Sequence, residues 1–453
     1  MSAFDHHSEQ FAAGWRAEYA ELRAGSPVVR TPAHGGYAVL TRYADVRRAL
    51  LSPRALACGR DLELDGVPGP VSGGVTIPTN PFRMGMMEMD PPQGTAFRKL
   101  LMPWFSARAT EASEPHLREL VCWCIDRVVE SGRMDIVDDL ANPLPTLVTL
   151  DLLGLPLENW QRYARVLHEA AYRQKGSARQ LAWLLEDLRD IVERRRLEPP
   201  EIETPVDALI AAEIDGARLP ADTVVEMVFM LLNGGIDTST SLIAHSLRYL
   251  SANPSARQQL RDDPALIPAA VEEFLRYFTP GTGLARTVVE PMAVGDTVLA
   301  PGERVYLALG SANNDPAEFP DPDRVDFARD GNRHLSFGAG VHRCLGAFLA
   351  PREMAVLIEQ VLARMPDLHV DESAVVAYPV IPLVAGFQAM PATFTPGPRL
   401  GSAPSGDAPP ARGERELLAA AELARAESPA GAAGTAGGVP GMDGVDELEA
   451  VRS

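Results

Sequence analysis

Apolar positions recur at helical spacing along most of this chain and at strand spacing in only a few short regions. Residues 9–24 carry an amphipathic helical pattern. Pro27–Thr31 and Gly36–Thr41 alternate instead, hold β-branched residues and flank His-Gly-Gly, which predicts a hairpin. Helical patterning returns at Tyr43–Leu51, then over 114–132, 137–154, 158–175 and 177–198, with Gly132, Gly154, Pro156, Gly176 and Pro199-Pro200 between them. From Pro220 to Asn253 the pattern predicts one helix closed by Pro254, roughly 50 Å long at about 1.5 Å per residue. Its middle, Met227–Leu232, is apolar on every side, as a buried helix is. Short strand runs follow at Thr287–Val289, Met292–Val294, Thr297–Leu299 and Arg304–Leu307, then a helix-forming run from Ala347 to Met365 and strand-like runs within 368–394. The pattern as a whole is mostly α with a small β region.

Length and composition narrow this further. The 453 residues suffice for a large core, and 46% hydrophobic with 23% charged is ordinary for a globular protein. A net charge of -19 with no basic run argues against nucleic acid as a partner. Four cysteines are too few for a disulfide framework and fit a reducing compartment. The first residues lack a basic, apolar leader, and no stretch approaches ~18 uncharged apolar residues. We therefore expect a cytoplasmic protein with no membrane partner. From about Arg399 the composition shifts to Gly, Ala, Pro and Ser. Residues 1–397 are expected to form the folded domain and 398–453 a disordered tail, with one helix-prone island at Glu414–Glu427. Residues 53–89 are irregular and end in Met84, Met86, Met87 and Met89. Such a run suits a loop closing over an apolar ligand, and equally suits ordinary core filling.

The chemistry concentrates in two stretches. The first runs His334-Leu-Ser-Phe337-Gly338-Ala-Gly340-Val-His342-Arg343-Cys344-Leu-Gly346. A thiol just ahead of a helix meets oriented N–H groups that favour the thiolate. The glycines let the backbone lie close to something flat, with Phe337 as an apolar wall. This suits an anionic sulfur ligand to a large cofactor. A buried inert cysteine, or a zinc site from His334, His342 and Cys344, are the other readings. The second stretch, Asn233-Gly234-Gly235-Ile236-Asp237-Thr238-Ser239-Thr240-Ser241, places two glycines, a carboxylate and four hydroxyls inside a buried helix. Each is locally unfavourable there, and together they point to a site. For the glycines alone, a close helix crossing is the competing explanation.

The run Phe337-Gly-x-Gly-x-His-x-Cys344-x-Gly346 resembles the haem-binding loop of the cytochrome P450 family, soluble bacterial branch. The resemblance implies a cytochrome P450 fold, haem b as cofactor and Cys344 as thiolate ligand to its iron. Asp90-Pro-Pro-Gln-Gly94-Thr-Ala-Phe-Arg98 resembles the family segment whose His and Arg hold haem propionates; Arg98 matches, while Gly94 stands in the place of the His. Arg286, His334 and His342 take the other cofactor-contacting places, with Phe337, Gly338 and Gly346 under the ring and Gly234 and Gly235 over it. The stretch at 233–241 is similar to the family's acid–alcohol motif. It implies that Thr238 donates a hydrogen bond during oxygen activation and that Asp237 feeds protons inward. Glu273 and Arg276 match a structural Glu-x-x-Arg pair, with Arg324 at the place of its third member. Met230, Asn233, Thr282, Leu284 and Phe387 are expected at the substrate pocket, residues 156–185 at the access helices and 53–89 at the lid. Pro351 is expected to kink the helix after Cys344.

The implied reaction inserts one oxygen atom of O2 into a small, largely apolar organic substrate, by hydroxylation or epoxidation, in secondary metabolism. Electrons come from a ferredoxin and its ferredoxin reductase, received on a patch formed by Arg98, Lys99, Arg108, Arg343 and Arg352. A peroxide-driven or oxidative-coupling haem-thiolate enzyme, a haem-binding sensor and a helical scaffold without haem are the rivals.

Overall fold

The structure is a computed structural model and describes residues 4–214, 216–401 and 408–427. Its centre is the long helix Ala221–Ala252, 32 residues without a break. Pro220 precedes its first turn, and at its far end Pro254 starts the next helix, so the two prolines set its length. Around it pack the helices Pro143–Leu153, Trp160–Ala171, Ser177–Leu197, Ile267–Phe278 and Leu349–Arg364. The helix is long and apolar enough to cross a membrane, but 78% of its most apolar window is buried within the protein. Its apolar girth is explained by neighbours on every side.

One five-stranded sheet packs beside this helical body. Its order is Val28–Thr31, Tyr37–Leu40, Arg304–Leu307, Leu284–Val288 and Leu56–Ala57. The N-terminal hairpin joins the late strands through a parallel pairing of Tyr37–Leu40 with Arg304–Leu307. The remaining pairings are antiparallel. Met292–Val294 and Thr297–Leu299 form their own two-stranded ribbon.

Several boundaries differ from expectation. The helix anticipated at 114–132 runs Ala107–Asp126, because the Ser106 hydroxyl accepts the Ala109 N–H and caps it early; Pro115 lies inside. The irregular stretch 53–89 contains a ribbon, Arg60–Leu62 with Val71–Gly73, and a tight turn, Gly85–Glu88, pressed on the long helix. A nearly buried pair, Arg60 Nε to Glu88 Oε2 at 2.5 Å, ties the two together. Pro351 produces no kink. It is the third residue of Leu349–Arg364, where a backbone N–H has no partner within the helix.

The tail is ordered where 408–427 are described. Glu414–Glu427 is helical and packs on Met102–Phe105 and Ala107–Asp126, with Ala421 and Ala424 buried at the contact. Just before it, Arg412 forms an ion pair with the buried Asp151 at 2.6 Å. Small side chains and a buried carboxylate give this island the partners that composition alone did not predict. Residues 402–407 and 428–453, the rest of the expected disordered tail, lie outside the described residues.

Candidate active site

The cysteine loop is held by its own backbone. The Cys344 N–H donates to the Phe337 carbonyl at 2.7 Å and the Gly338 N–H to the Leu335 carbonyl at 2.8 Å. Gly338 and Gly340 both sit at positive φ, 65° and 69°, which glycine alone adopts without strain. Cys344 is accessible, yet desolvation by surrounding protein is the largest influence on its thiol. Its side chain therefore faces a space enclosed by the protein. Burial raises its pKa, while the Gly346 N–H and the charges of Arg98 and Arg343 act in the opposite sense. The following helix begins only at Leu349, so the helix dipole acts from farther away than the sequence suggested. A metal ion at the sulfur would deprotonate it outright.

Three cationic or basic side chains gather beside this loop. Arg286 is buried, and among the described residues its guanidinium donates only to the Ala285 carbonyl, at 2.8 Å. Burial lowers its pKa, and Cys58 and Asp90 partly offset that. Arg98 is half-buried and donates to the Arg343 carbonyl. His342 is pushed down to about 4 by burial and by the charges of Arg286 and Arg98, with Asp90 opposing. Its Nε2 lies 3.3 Å from Cys58 Sγ, which in turn lies 3.3 Å from Asp90 Oδ1. A buried guanidinium with a single backbone partner is costly without an anion. An accessible thiol, this under-satisfied fork and the positive charge of Arg98 fit a flat cofactor with carboxylates at its edge.

Two neighbours depart from the expected pattern. His334 turns to Glu272, Nε2 to Oε2 at 3.0 Å, and its Nδ1 accepts the Ser336 N–H at 3.3 Å. With both ring nitrogens engaged by protein, it does not stand as a free donor for a cofactor carboxylate, contrary to expectation. At position 94 a Cβ would lie 2.4 Å from the Met89 carbonyl oxygen, so this backbone admits only glycine there.

The long helix carries the second stretch. Thr238 Oγ1 donates to the Gly234 carbonyl at 2.7 Å, one turn back. The two glycines prove different in kind. A Cβ on Gly234 would meet nothing within 4 Å, whereas one on Gly235 would lie 2.7 Å from Thr149 Oγ1. Gly234 thus borders open space, and Gly235 permits a helix crossing. Asp237 is buried and accepts the Tyr378 hydroxyl at 2.9 Å; His168 Nδ1 lies 2.9 Å from the same hydroxyl. Neither partner was evident in the sequence, since they lie far away along the chain and match no motif.

Of the expected pocket residues, Met230 is buried under the Gly85–Glu88 turn, where a Cβ on Gly85 would come within 3.2 Å of the Met230 Cβ. Asn233 and Leu284 are half-buried. Two expectations fail. The Thr282 hydroxyl is fully buried against Tyr306 Oη at 3.4 Å and the Leu383 carbonyl at 3.3 Å, so it belongs to the core beside the sheet. Phe387 packs on the His245 ring, centroids 4.6 Å apart, and under Arg248, two turns or more beyond Thr238 on the long helix.

Behind the cysteine loop Glu273 and Arg276 are fully buried, joined by two bonds of 2.8 Å. The third member is Arg329, with Nε 3.1 Å from both Glu273 oxygens. Arg324 is exposed, reaches Asp326 at 3.6 Å, and contributes only its carbonyl to the network. The sequence assignment to Arg324 is corrected accordingly. A second arginine five residues on in the same loop was the available signal.

A mostly helical body crossed by one long helix, with an accessible thiol in a glycine loop and an acid–alcohol pair within that helix, has the features of a haem-thiolate class of protein. Comparison with known proteins agrees. The family profile "Cytochrome P450" matches residues 159–366. Cytochrome P450 107B1 of Saccharopolyspora erythraea is 34% identical over 82% of this chain and 92% of its own length. Mycinamicin IV hydroxylase/epoxidase of Micromonospora griseorubida is 34% identical over 78% and 88%. The solved structure of Mycobacterium marinum cytochrome P450 CYP268A2 in complex with pseudoionone superposes with a TM-score of 0.76 at 27% identity, covering 86% of this chain and 98% of that one. The chain belongs to the cytochrome P450 family. It is an oxidoreductase of the monooxygenase class with haem b as cofactor, acting on an organic substrate and O2 with electrons from a redox partner.

Proposed function

We propose that Cys344 is the axial ligand of the haem iron, that Arg98, Arg286 and His342 hold its carboxylates, and that Phe337, Gly338 and Gly346 lie under the ring. The observation that carries this reading is the accessible Cys344 in an enclosed space beside a buried Arg286 that has only one backbone partner. When bound, a haem held by thiolate supplies oxygen activation by O–O cleavage. The residues of the chain do the rest. Gly234 leaves room above the ring. Thr238, its hydroxyl held one turn back on Gly234, is placed to donate a hydrogen bond into that room. Asp237 holds and passes protons toward it, a general-acid role in a site shielded from water. Met230, Asn233 and Leu284 shape the substrate side, with the turn Gly85–Glu88 as its cover.

The substrate we infer is a small, largely apolar secondary metabolite, oxidised at one position by hydroxylation or epoxidation. Relatives named 6-deoxyerythronolide B hydroxylase, 34% identical over 80% of the chain, and Mycinamicin IV hydroxylase/epoxidase support that class. Asn233 is its polar contact. The electron donor is an acidic ferredoxin with its reductase, in the cytoplasm. Lys99, Arg108 and Arg343 are exposed and supply positive charge for steering. Arg352 contributes less, since it pairs with Glu114 at 3.0 Å. The catalytic unit spans the folded body through about residue 401, with the 408–427 segment seated upon it.

The test is the difference spectrum of the reduced, carbon-monoxide-treated protein beside Cys344→Ala. A strongly red-shifted Soret band in the parent and its loss in the variant support the assignment. A variant that keeps the band overturns it.

A further inference from the structure

Asp237 is not alone in the wall of the long helix. Tyr378 Oη bridges it to His168, 2.9 Å from Asp237 Oδ1 and 2.9 Å from His168 Nδ1, while His168 Nδ1 and Asp237 Oδ1 are 3.6 Å apart directly. All three side chains are buried, at 4%, 4% and 6% exposure, and each comes from a separate part of the fold. His168 lies on the helix Trp160–Ala171, and Tyr378 follows the strand Val376–Ala377. Tyr378 is fixed at both ends. Its N–H donates to the Gly386 carbonyl at 2.9 Å, and a Cβ on Gly386 would come within 2.6 Å of its ring.

The hydrogen-bond order follows the two 2.9 Å contacts through Tyr378, since the direct 3.6 Å approach of His168 to Asp237 is too long for a hydrogen bond. Tyr378 has one hydroxyl proton and two neighbours. With Asp237 ionised, the hydroxyl must donate to the carboxylate, so its oxygen accepts from His168 Nδ1–H. The chain then reads His168 Nδ1–H to Tyr378 Oη–H to Asp237 Oδ1. Its two outer atoms, His168 Nε2 and Asp237 Oδ2, are buried without a hydrogen-bond partner among the described residues. A purely structural triad closes its ends, because each open buried end costs desolvation energy. A row of hydrogen bonds with a free acceptor at each end is what proton transfer requires.

We propose that His168 and Tyr378 are positioning residues of a proton relay that recharges Asp237 from the solvent side. A proton taken up at His168 Nε2 releases the Nδ1 proton to Tyr378 Oη. The tyrosine passes its own proton to Asp237 Oδ1. His168 ends neutral with the proton on Nε2, Tyr378 ends neutral, and Asp237 ends as the acid, so one proton has crossed and none is created. A half-turn of the carboxyl presents that proton away from Tyr378. The row resets when Asp237 has passed it on, the Tyr378 hydroxyl has turned back to the carboxylate, and His168 has gained a proton at Nδ1 and lost the one on Nε2 to solvent. The half-buried Tyr172 packs against both the His168 and Tyr378 rings. That edge is the entry side. Burial and Asp237 raise the Tyr378 pKa well above its ordinary value, so it conducts as a neutral hydroxyl without becoming a phenolate.

This inference rests on the role assigned to Asp237 above, and two measurements separate them. The first needs no turnover: nitrogen NMR of the haem-loaded, reduced and carbon-monoxide-bound protein labelled at histidine. It should place the His168 proton on Nδ1, and Tyr378→Phe should change that resonance. A wild-type His168 protonated on Nε2 alone overturns the relay. The second uses the haem-loaded enzyme with a substrate found by binding shifts. Tyr378→Phe and His168→Gln should each slow turnover by up to about a hundredfold, the low end for loss of general-acid function. Each should also raise the solvent deuterium isotope effect and divert electrons to peroxide, while leaving the reduced carbon-monoxide spectrum intact. Because the steps are in series, the double variant should be no slower than the single ones. Unchanged isotope effects and coupling in Tyr378→Phe overturn the relay. Were Asp237→Asn itself without effect on coupling, the reading of Asp237 would fall instead.

Discussion

Arg276 and Glu273, three residues apart on one helix, are joined by two 2.8 Å bonds, and Arg329 closes on the same carboxylate from a loop more than fifty residues away. Removing Arg329 leaves Glu273 paired with Arg276 but takes a charged donor away from both of its oxygens. Arg329→Ala should therefore cost about 1.5–3 kcal/mol in urea unfolding. Arg324→Ala, on an exposed side chain, should stay within about 0.5 kcal/mol. Equal effects from the two would refute the assignment.

The two glycines of the long helix should separate by phenotype. Gly234→Ala meets open space and gains helix propensity of up to about 1 kcal/mol, so stability should hold or rise. On the proposed placement of the haem its methyl group enters the space over the ring, so ligand-binding spectra and turnover should change. Gly235→Ala meets Thr149 and should destabilise by about 1–3 kcal/mol, relieved by a second change, Thr149→Ala. Thermal unfolding and optical titration measure both.

Glu353 gives a pH prediction. It is buried, its Oε1 has no hydrogen-bond partner among the described residues, and burial pushes its pKa from 4.5 up to about 8. Between those values the folded protein holds a proton that the unfolded chain has lost. Stability from this group is therefore full below pH 4.5 and falls as pH rises to about 8. Glu353→Gln keeps the neutral form throughout. It should match the parent near pH 4 and exceed it by a few kcal/mol near pH 9, read by denaturant unfolding at both values. Parallel pH curves for the two proteins would contradict this account.

Arg412 and Asp151 make the anchor of the 408–427 segment testable. Asp151 is buried, with His116 Nε2 3.5 Å away and Arg412 at 2.6 Å. Arg412→Ala should loosen the helix Glu414–Glu427, seen as faster proteolysis within it. The body should lose about 1–3 kcal/mol from the stranded carboxylate. Proteolysis rates equal to the parent's would show that the helix is held by its alanine face alone.

What the sequence determined by itself is what local chemistry fixes. The long helix between Pro220 and Pro254, the hairpin before Tyr43 and the glycine loop around Cys344 depend on period, proline placement and backbone freedom, all of which short windows carry. The family pattern was legible for the same reason, being contiguous. The tertiary structure decided what depends on partners brought from far along the chain. It gave Glu273 to Arg329 and turned His334 to Glu272. It placed Thr282 and Phe387 in packed regions, seated Glu414–Glu427 on the body, and set Tyr378 and His168 beside Asp237. No window of sequence holds those pairs, because a buried charge or hydroxyl is satisfied by whichever group the fold brings within about 3 Å, and that is a property of the packed chain.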